Sequence, residues 1–147
     1  MTTHVTEPIA AWPGVGRSIL ALLAGFAANV ALSLLIDFLL QSVGVLPAPG
    51  HAPLNNYQSA LAAAYRTLFS VLSAYIVAWL APSRPMRLAL TGAAIGMLLA
   101  TAGAIATWNK ALGPHWYSLV LIALALPTGW LGAKLWLAQS DTNKTAA

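Results

Sequence analysis

Two residues of opposite charge, Asp37 and Arg66, each sit inside a stretch otherwise apolar enough to cross a lipid bilayer. A lone Asp or Arg at the middle of a spanning helix costs about 2.5–3.5 kcal/mol on insertion scales, so such groups turn inward and find partners. The pair could fix the register of two helices, or it could form a proton or solute site that opens when the pair breaks. Counted from the expected ends of their spans, the two residues differ in depth by about 4–5 Å at 1.5 Å per residue. An arginine side chain bridges that gap. We therefore expect an Asp37–Arg66 ion pair, with Tyr65, Asn29, Ser33 or Ser70 supplying further hydrogen bonds. Asn29, Ser33, Asp37, Arg66 and Ser70 together form the candidate intramembrane polar site.

Other chemistry has little to work with. The chain has no cysteine, which removes disulfides, thiolate metal sites, iron–sulfur clusters and thiol catalysis together. His4, His51 and His115 fall in tails or loops, whereas haem held in a bundle needs histidines projecting from the helices. His51 and His115 could supply half of a metal site, but no carboxylate accompanies them. No cofactor and no metal are expected. Neither a His–carboxylate constellation nor a nucleophile with an evident base is present, so the expectation is a protein that is not an enzyme.

The elements that must position the charged pair follow from composition. Apolar residues make up 59% of the chain and charged residues 7%, against about 25% charged in soluble domains. The net charge of +4 reflects seven basic against three acidic residues, the basic ones scattered and mostly beside the apolar stretches. That distribution sets topology and excludes a nucleic-acid face. Four spans fit: about Arg17 to Val43, Tyr57 to Leu80, Arg87 to Thr107 and Trp116 to Ala138. Each reaches the roughly 20 residues that cross the hydrocarbon layer. The first is too long for a signal-peptide core and lacks a clear cleavage site, so it reads as a retained span. The expected fold is an all-α, integral membrane four-helix bundle over residues 17–138, with disordered cytoplasmic tails at 1–16 and 139–147.

Helix breakers separate the spans: Pro47, Pro49, Gly50 and Pro53, then Pro82 and Pro85, then Gly113 and Pro114. Asn55 or Asn56 suits an N-cap for span two, and Pro85 and Pro114 suit first turns. Arg17, Arg84, Arg87, Lys134 and Lys144 fall on one side of the four spans and only Lys110 on the other. By the enrichment of Lys and Arg in cytoplasmic loops, both termini are expected inside. Trp79, Trp130 and Trp136 then mark the inner interface, and Tyr57, Trp108, Trp116 and Tyr117 the outer one. Asn143-Lys-Thr145 matches a glycosylation acceptor by chance on a cytoplasmic tail.

Each span carries one face of small or polar residues. Span one has Gly25, Asn29, Ser33 and Asp37; span two has Ser59, Ala62, Ala63, Arg66, Ser70 and Ser73; span three has Gly92, Gly96, Ala100, Gly103 and Thr107; span four has Ser118, Ala125, Gly129 and Gly132. Membrane helices associate through such faces, so a packed bundle is expected. Pro127 lies mid-way along span four, where it frees the carbonyl of Ala123 and marks a candidate kink helped by Thr128.

Through Ala64-Tyr-Arg-Thr, Ala81-Pro-Ser-Arg-Pro-Met-Arg, Gly113-Pro-His-Trp-Tyr and Ala125-Leu-Pro-Thr-Gly-Trp-Leu-Gly, the chain resembles a group of small bacterial four-span inner-membrane proteins. The motifs cover roughly residues 60 to 135. The group carries no established activity, so the resemblance implies a fold and a bacterial cytoplasmic membrane only. Small multidrug transporters are comparable in size but place a glutamate centrally in their first helix, and span one here has none. The residues point first to a structural or accessory membrane component, with the lipid bilayer as its partner and a homo-oligomer or larger membrane complex around it. The alternative is a small oligomeric transporter or channel using Asp37 and Arg66. A membrane enzyme acting on lipid comes third.

Overall fold

The computed structural model describes residues 13–48, 51–110 and 112–145. They form four helices: α1 (Pro13–Ser42), α2 (Asn56–Leu80), α3 (Pro85–Thr107) and α4 (His115–Thr145). Every one is long and apolar enough to cross a bilayer. The chain is an all-α four-helix bundle and a multi-pass membrane protein.

Local sequence explains where the helices begin and end. Asn55 caps α2 in a reciprocal box, its side chain accepting from the Gln58 N–H while the Asn55 N–H donates to Gln58 Oε1, which satisfies two donors that a helix start leaves over. Pro85 opens α3, where its missing N–H costs nothing. Gly44, at φ +75°, turns the chain after α1, a backbone conformation glycine adopts without a Cβ clash. Arg84 adopts φ 50° just before Pro85.

The helix ends differ from expectation at both termini. The N-terminal tail was expected over 1–16, and α1 already starts at Pro13; residues 1–12, with His4, lie outside the described residues. The C-terminal tail was expected over 139–147, yet α4 runs on to Thr145. No Gly or Pro interrupts residues 133–145, and the Ser140 and Thr142 hydroxyls bond back to the carbonyls of Leu137 and Ala138. Helix α4 also continues through Pro127. There the Thr128 hydroxyl contacts the Leu124 and Ala125 carbonyls at 2.8 and 3.0 Å, feeding a donor into the turn the proline disturbs.

The packing is that of a membrane bundle. The buried apolar residues are mostly alanines, among them Ala62, Ala63, Ala74, Ala78, Ala89 and Ala133, while Phe38, Leu98 and Ile105 are 67%, 66% and 73% exposed. Small side chains face inward and large ones outward because lipid solvates leucine as well as a protein core does, and close backbone approach supplies the attraction. Helix α2 packs on all three others, α4 packs on α2 and α3, and α1 leans chiefly on α2.

Glycines mark the closest crossings. A Cβ at Gly132 would collide with the Val71 carbonyl and lie 2.7 Å from Ala74 Cβ, and one at Gly129 would collide with Ala93. At Gly25 it would strike Val77 and approach the Ser73 carbonyl to 3.0 Å. The small face of α3 behaves differently from expectation: Gly92 meets Leu22, but Gly96 and Gly103 have nothing within 4 Å of an added Cβ. That face is only partly a packing face, because α1 and α3 approach near Gly92 and leave a gap beyond it.

Two glycines on small faces should therefore respond oppositely. Gly132→Ala is expected to lower the thermal unfolding midpoint in detergent by forcing α2 and α4 apart. Gly96→Ala is expected to leave it unchanged or raise it, since alanine is favoured over glycine in a helix by up to about 1 kcal/mol.

Candidate functional site

The two embedded ions meet. Helices α1 and α2 run antiparallel and cross closely at Gly25, where the Ser73 hydroxyl donates to the Gly25 carbonyl at 2.7 Å. Three turns further along α1, Asp37 Oδ2 lies 2.7 Å from Arg66 Nη2. The other carboxylate oxygen, Oδ1, accepts from the Tyr65 hydroxyl. Tyr65 and Arg66 are neighbours on α2, and Asp37 sits where both side chains reach it. Charge-assisted bonds of this kind are about twice as strong as neutral ones.

Helix α4 completes the surroundings. Arg66 Cζ lies 6.0 Å from the centre of the Tyr117 ring, at the edge of cation–π range. The guanidinium is thus bounded by Asp37 from α1, Tyr65 from α2 and Tyr117 from α4. The Arg66 Nε–H and the Tyr117 hydroxyl are both buried without a protein partner. Tyr117 is expected from sequence among the outer interfacial aromatics, and the structure adds that its ring lies beside Arg66. No local signal distinguishes it from Trp116, whose indole N–H donates to Asn56 Oδ1 at 3.1 Å.

Asn29, Ser33, Asp37, Arg66 and Ser70 all line one cleft of about 500 Å³. It borders α1 from Leu22 to Asp37, fifteen residues or about 22 Å at 1.5 Å per residue. Helices α1 and α3 form its sides and α2 and α4 its floor. Phe26, Val30 and Leu34 of α1 and Leu99 of α3 line it and are themselves exposed. The cleft accordingly opens sideways, between α1 and α3, toward the surface that faces lipid.

The hydrogen bonds expected from Asn29, Ser33 and Ser70 to the pair are not the ones observed. Ser70 donates to the carbonyl of Arg66 at 2.9 Å, and Thr67 to that of Ala63 at 2.7 Å. A hydroxyl four residues after a helical carbonyl finds that acceptor nearest, so these groups bond within their own helix. Both residues line the cleft. Asn29 Oδ1 is buried without a protein partner. Of the residues expected to join the pair, Tyr65 does so.

His115 Nε2 lies 3.1 Å from the Trp108 carbonyl, and its ring centre lies 4.3 Å from that of Trp108. Among the described residues no three metal-ligating side chains gather. No family model, curated protein or solved structure matches this chain.

Exchanging the two charges tests their partnership. Asp37→Arg and Arg66→Asp alone each place two like charges in the layer, and removing one partner of a buried pair costs about 3–5 kcal/mol. The double exchange is expected to recover folded, monodisperse protein lost in both single variants. A double variant that yields no more than either single one contradicts the pairing.

Proposed function

We propose that this is a non-enzymatic carrier of a small amphiphilic solute, which enters the cleft between α1 and α3 from the bilayer and presents its polar group to Asp37 and Arg66. One observation carries the reading: all five candidate polar residues lie on the wall of a single cleft of about 500 Å³. Exposed apolar side chains of α1 and α3 rim the opening, which suits an occupant with an apolar body. The adjoining carboxylate and guanidinium suit a polar group that can replace either one as partner to the other. The absence from the sequence of cysteine and of a His–carboxylate constellation supports binding over catalysis.

A second reading, a structural or accessory subunit, is favoured by the engagement of both Asp37 oxygens. It treats the pair as a clasp between α1 and α2, with a second copy or a partner's helix beside the cleft. Under either reading both termini lie on the cytoplasmic side, supported by Arg17, Arg84, Arg87, Lys134 and Lys144 at that end of the spans against Lys110 at the other. The motif resemblance supports a bacterial inner membrane.

Gly96 lines the cleft and has open space around it, so Gly96→Phe fills the cleft without touching the pair. With isotopically labelled long-chain amines and long-chain carboxylates as probes, saturable binding to the wild type in nanodiscs, above that of empty nanodiscs, is expected. Gly96→Phe is expected to weaken it at least tenfold while the melting temperature is kept. Equal binding by the two proteins, or none by the wild type, contradicts the carrier reading.

A further inference from the structure

A second, smaller pocket lies where α2 and α4 begin. Its volume is about 140 Å³, and Leu54, Ser59, Trp108, Gly113, Tyr117 and Ser118 are among its lining residues. Trp108 and Leu112, both at this pocket, are 45% and 58% exposed, so it opens at the end of the bundle that carries the α1–α2 and α3–α4 connections. The main chain closes it on one side, where the Leu54 N–H donates to the Leu112 carbonyl at 3.0 Å.

Its polar groups are unusual for this protein. Thr67, Ser70, Thr101 and Thr107 each donate to the carbonyl one turn back. Ser59 is 0% exposed, and its hydroxyl finds no protein partner. The Tyr117 hydroxyl and the Arg66 Nε–H share that condition. Three buried donors without protein acceptors are costly unless oxygen acceptors reach them, and ordered water is the usual one. The pocket's lining is mixed, with Ser59, Tyr117 and Ser118 supplying hydroxyls among apolar neighbours, and it is roomy enough for several waters.

The three donors also follow one line. Ser59 and Arg66 are seven residues apart, which places them on one face of α2 about 10 Å apart. Tyr117 lines the pocket with Ser59 and lies against Arg66. We propose that this pocket is an aqueous vestibule whose ordered waters bond the Ser59 and Tyr117 hydroxyls and extend to the Arg66 Nε–H. The ion pair then has lipid-facing cleft on one flank and water on the other. Arg66, packed under Tyr117, forms the partition between them. This hydration reaches the guanidinium whether or not the cleft carries a solute.

The lack of native cysteine allows a direct test on the full-length protein in nanodiscs. Ser59→Cys is expected to react with 2-aminoethyl methanethiosulfonate in the folded state within a thousandfold of its rate after unfolding in SDS, slowed by the 0% exposure of the position. A folded-state rate more than a thousandfold slower overturns the proposal. Tyr117→Phe supplies a reading that does not depend on the cysteine variant. Removing a hydroxyl that bonds water is expected to lower the melting temperature, whereas removing one left dry and unpaired leaves it unchanged or raises it. An unchanged or raised melting temperature overturns the proposal even where Ser59→Cys is reactive. Wild-type probe binding in the larger cleft is measured separately, so loss of either result leaves the other standing.

Discussion

The neutralisation of Asp37 by Arg66 is the constraint on which the arrangement of helices depends. Either ion alone would be expensive in hydrocarbon. Brought to 2.7 Å with Tyr65 on the second carboxylate oxygen, they become a net-neutral group that fixes how far α1 slides along α2. The tight crossing at Gly25 and Ser73 sets the same register from the other end. Two contacts well separated along the helices fix the offset of α1 along α2.

The cleft lies beside the helix they hold, where α1 and α3 make little contact. Helices α2, α3 and α4 are drawn together by missing side chains, with Gly132 against Val71 and Ala74 and Gly129 against Ala93. Helix α1 has no comparable contact with α4 among the described residues and approaches α3 chiefly near Leu22 and Gly92. Beyond that point the charged pair holds α1 on α2 while α3 follows α4. The space between them is therefore a consequence of where the glycines stop and where the ions begin. Its polar wall is inherited from the same residues that make the first two helices associate.

Much of this was legible in the sequence because it is set locally. Helix count follows from apolar run length, the start of α2 from Asn55 and Gln58, the start of α3 from Pro85, and the partnership of Asp37 with Arg66 from the cost of burying either alone. What escaped depends on neighbours distant in sequence. Gly96 and Gly132 look alike on a helical wheel, yet one borders open space and the other abuts a backbone carbonyl. Tyr117 and Trp116 both look interfacial, and only the packing of α4 on α2 turns Tyr117 toward Arg66. Ser59 reads as one more small residue until its hydroxyl proves to lack the bond that Ser70 makes. Helix α4 outran its expected end because polar residues without Gly or Pro can continue a helix past the apolar layer.

The central claim is the contact between the two embedded ions, and it can be measured in lipid. The chain has two aspartates, Asp37 and Asp141, so in an Asp141→Asn background a carboxyl-labelled aspartate reports on Asp37 alone. Dipolar recoupling between its 13C carboxyl and 15N-labelled arginine side chains, in bilayers by solid-state NMR, should show strong dephasing that vanishes in Arg66→Lys. Absence of dephasing in the parent protein would contradict the account.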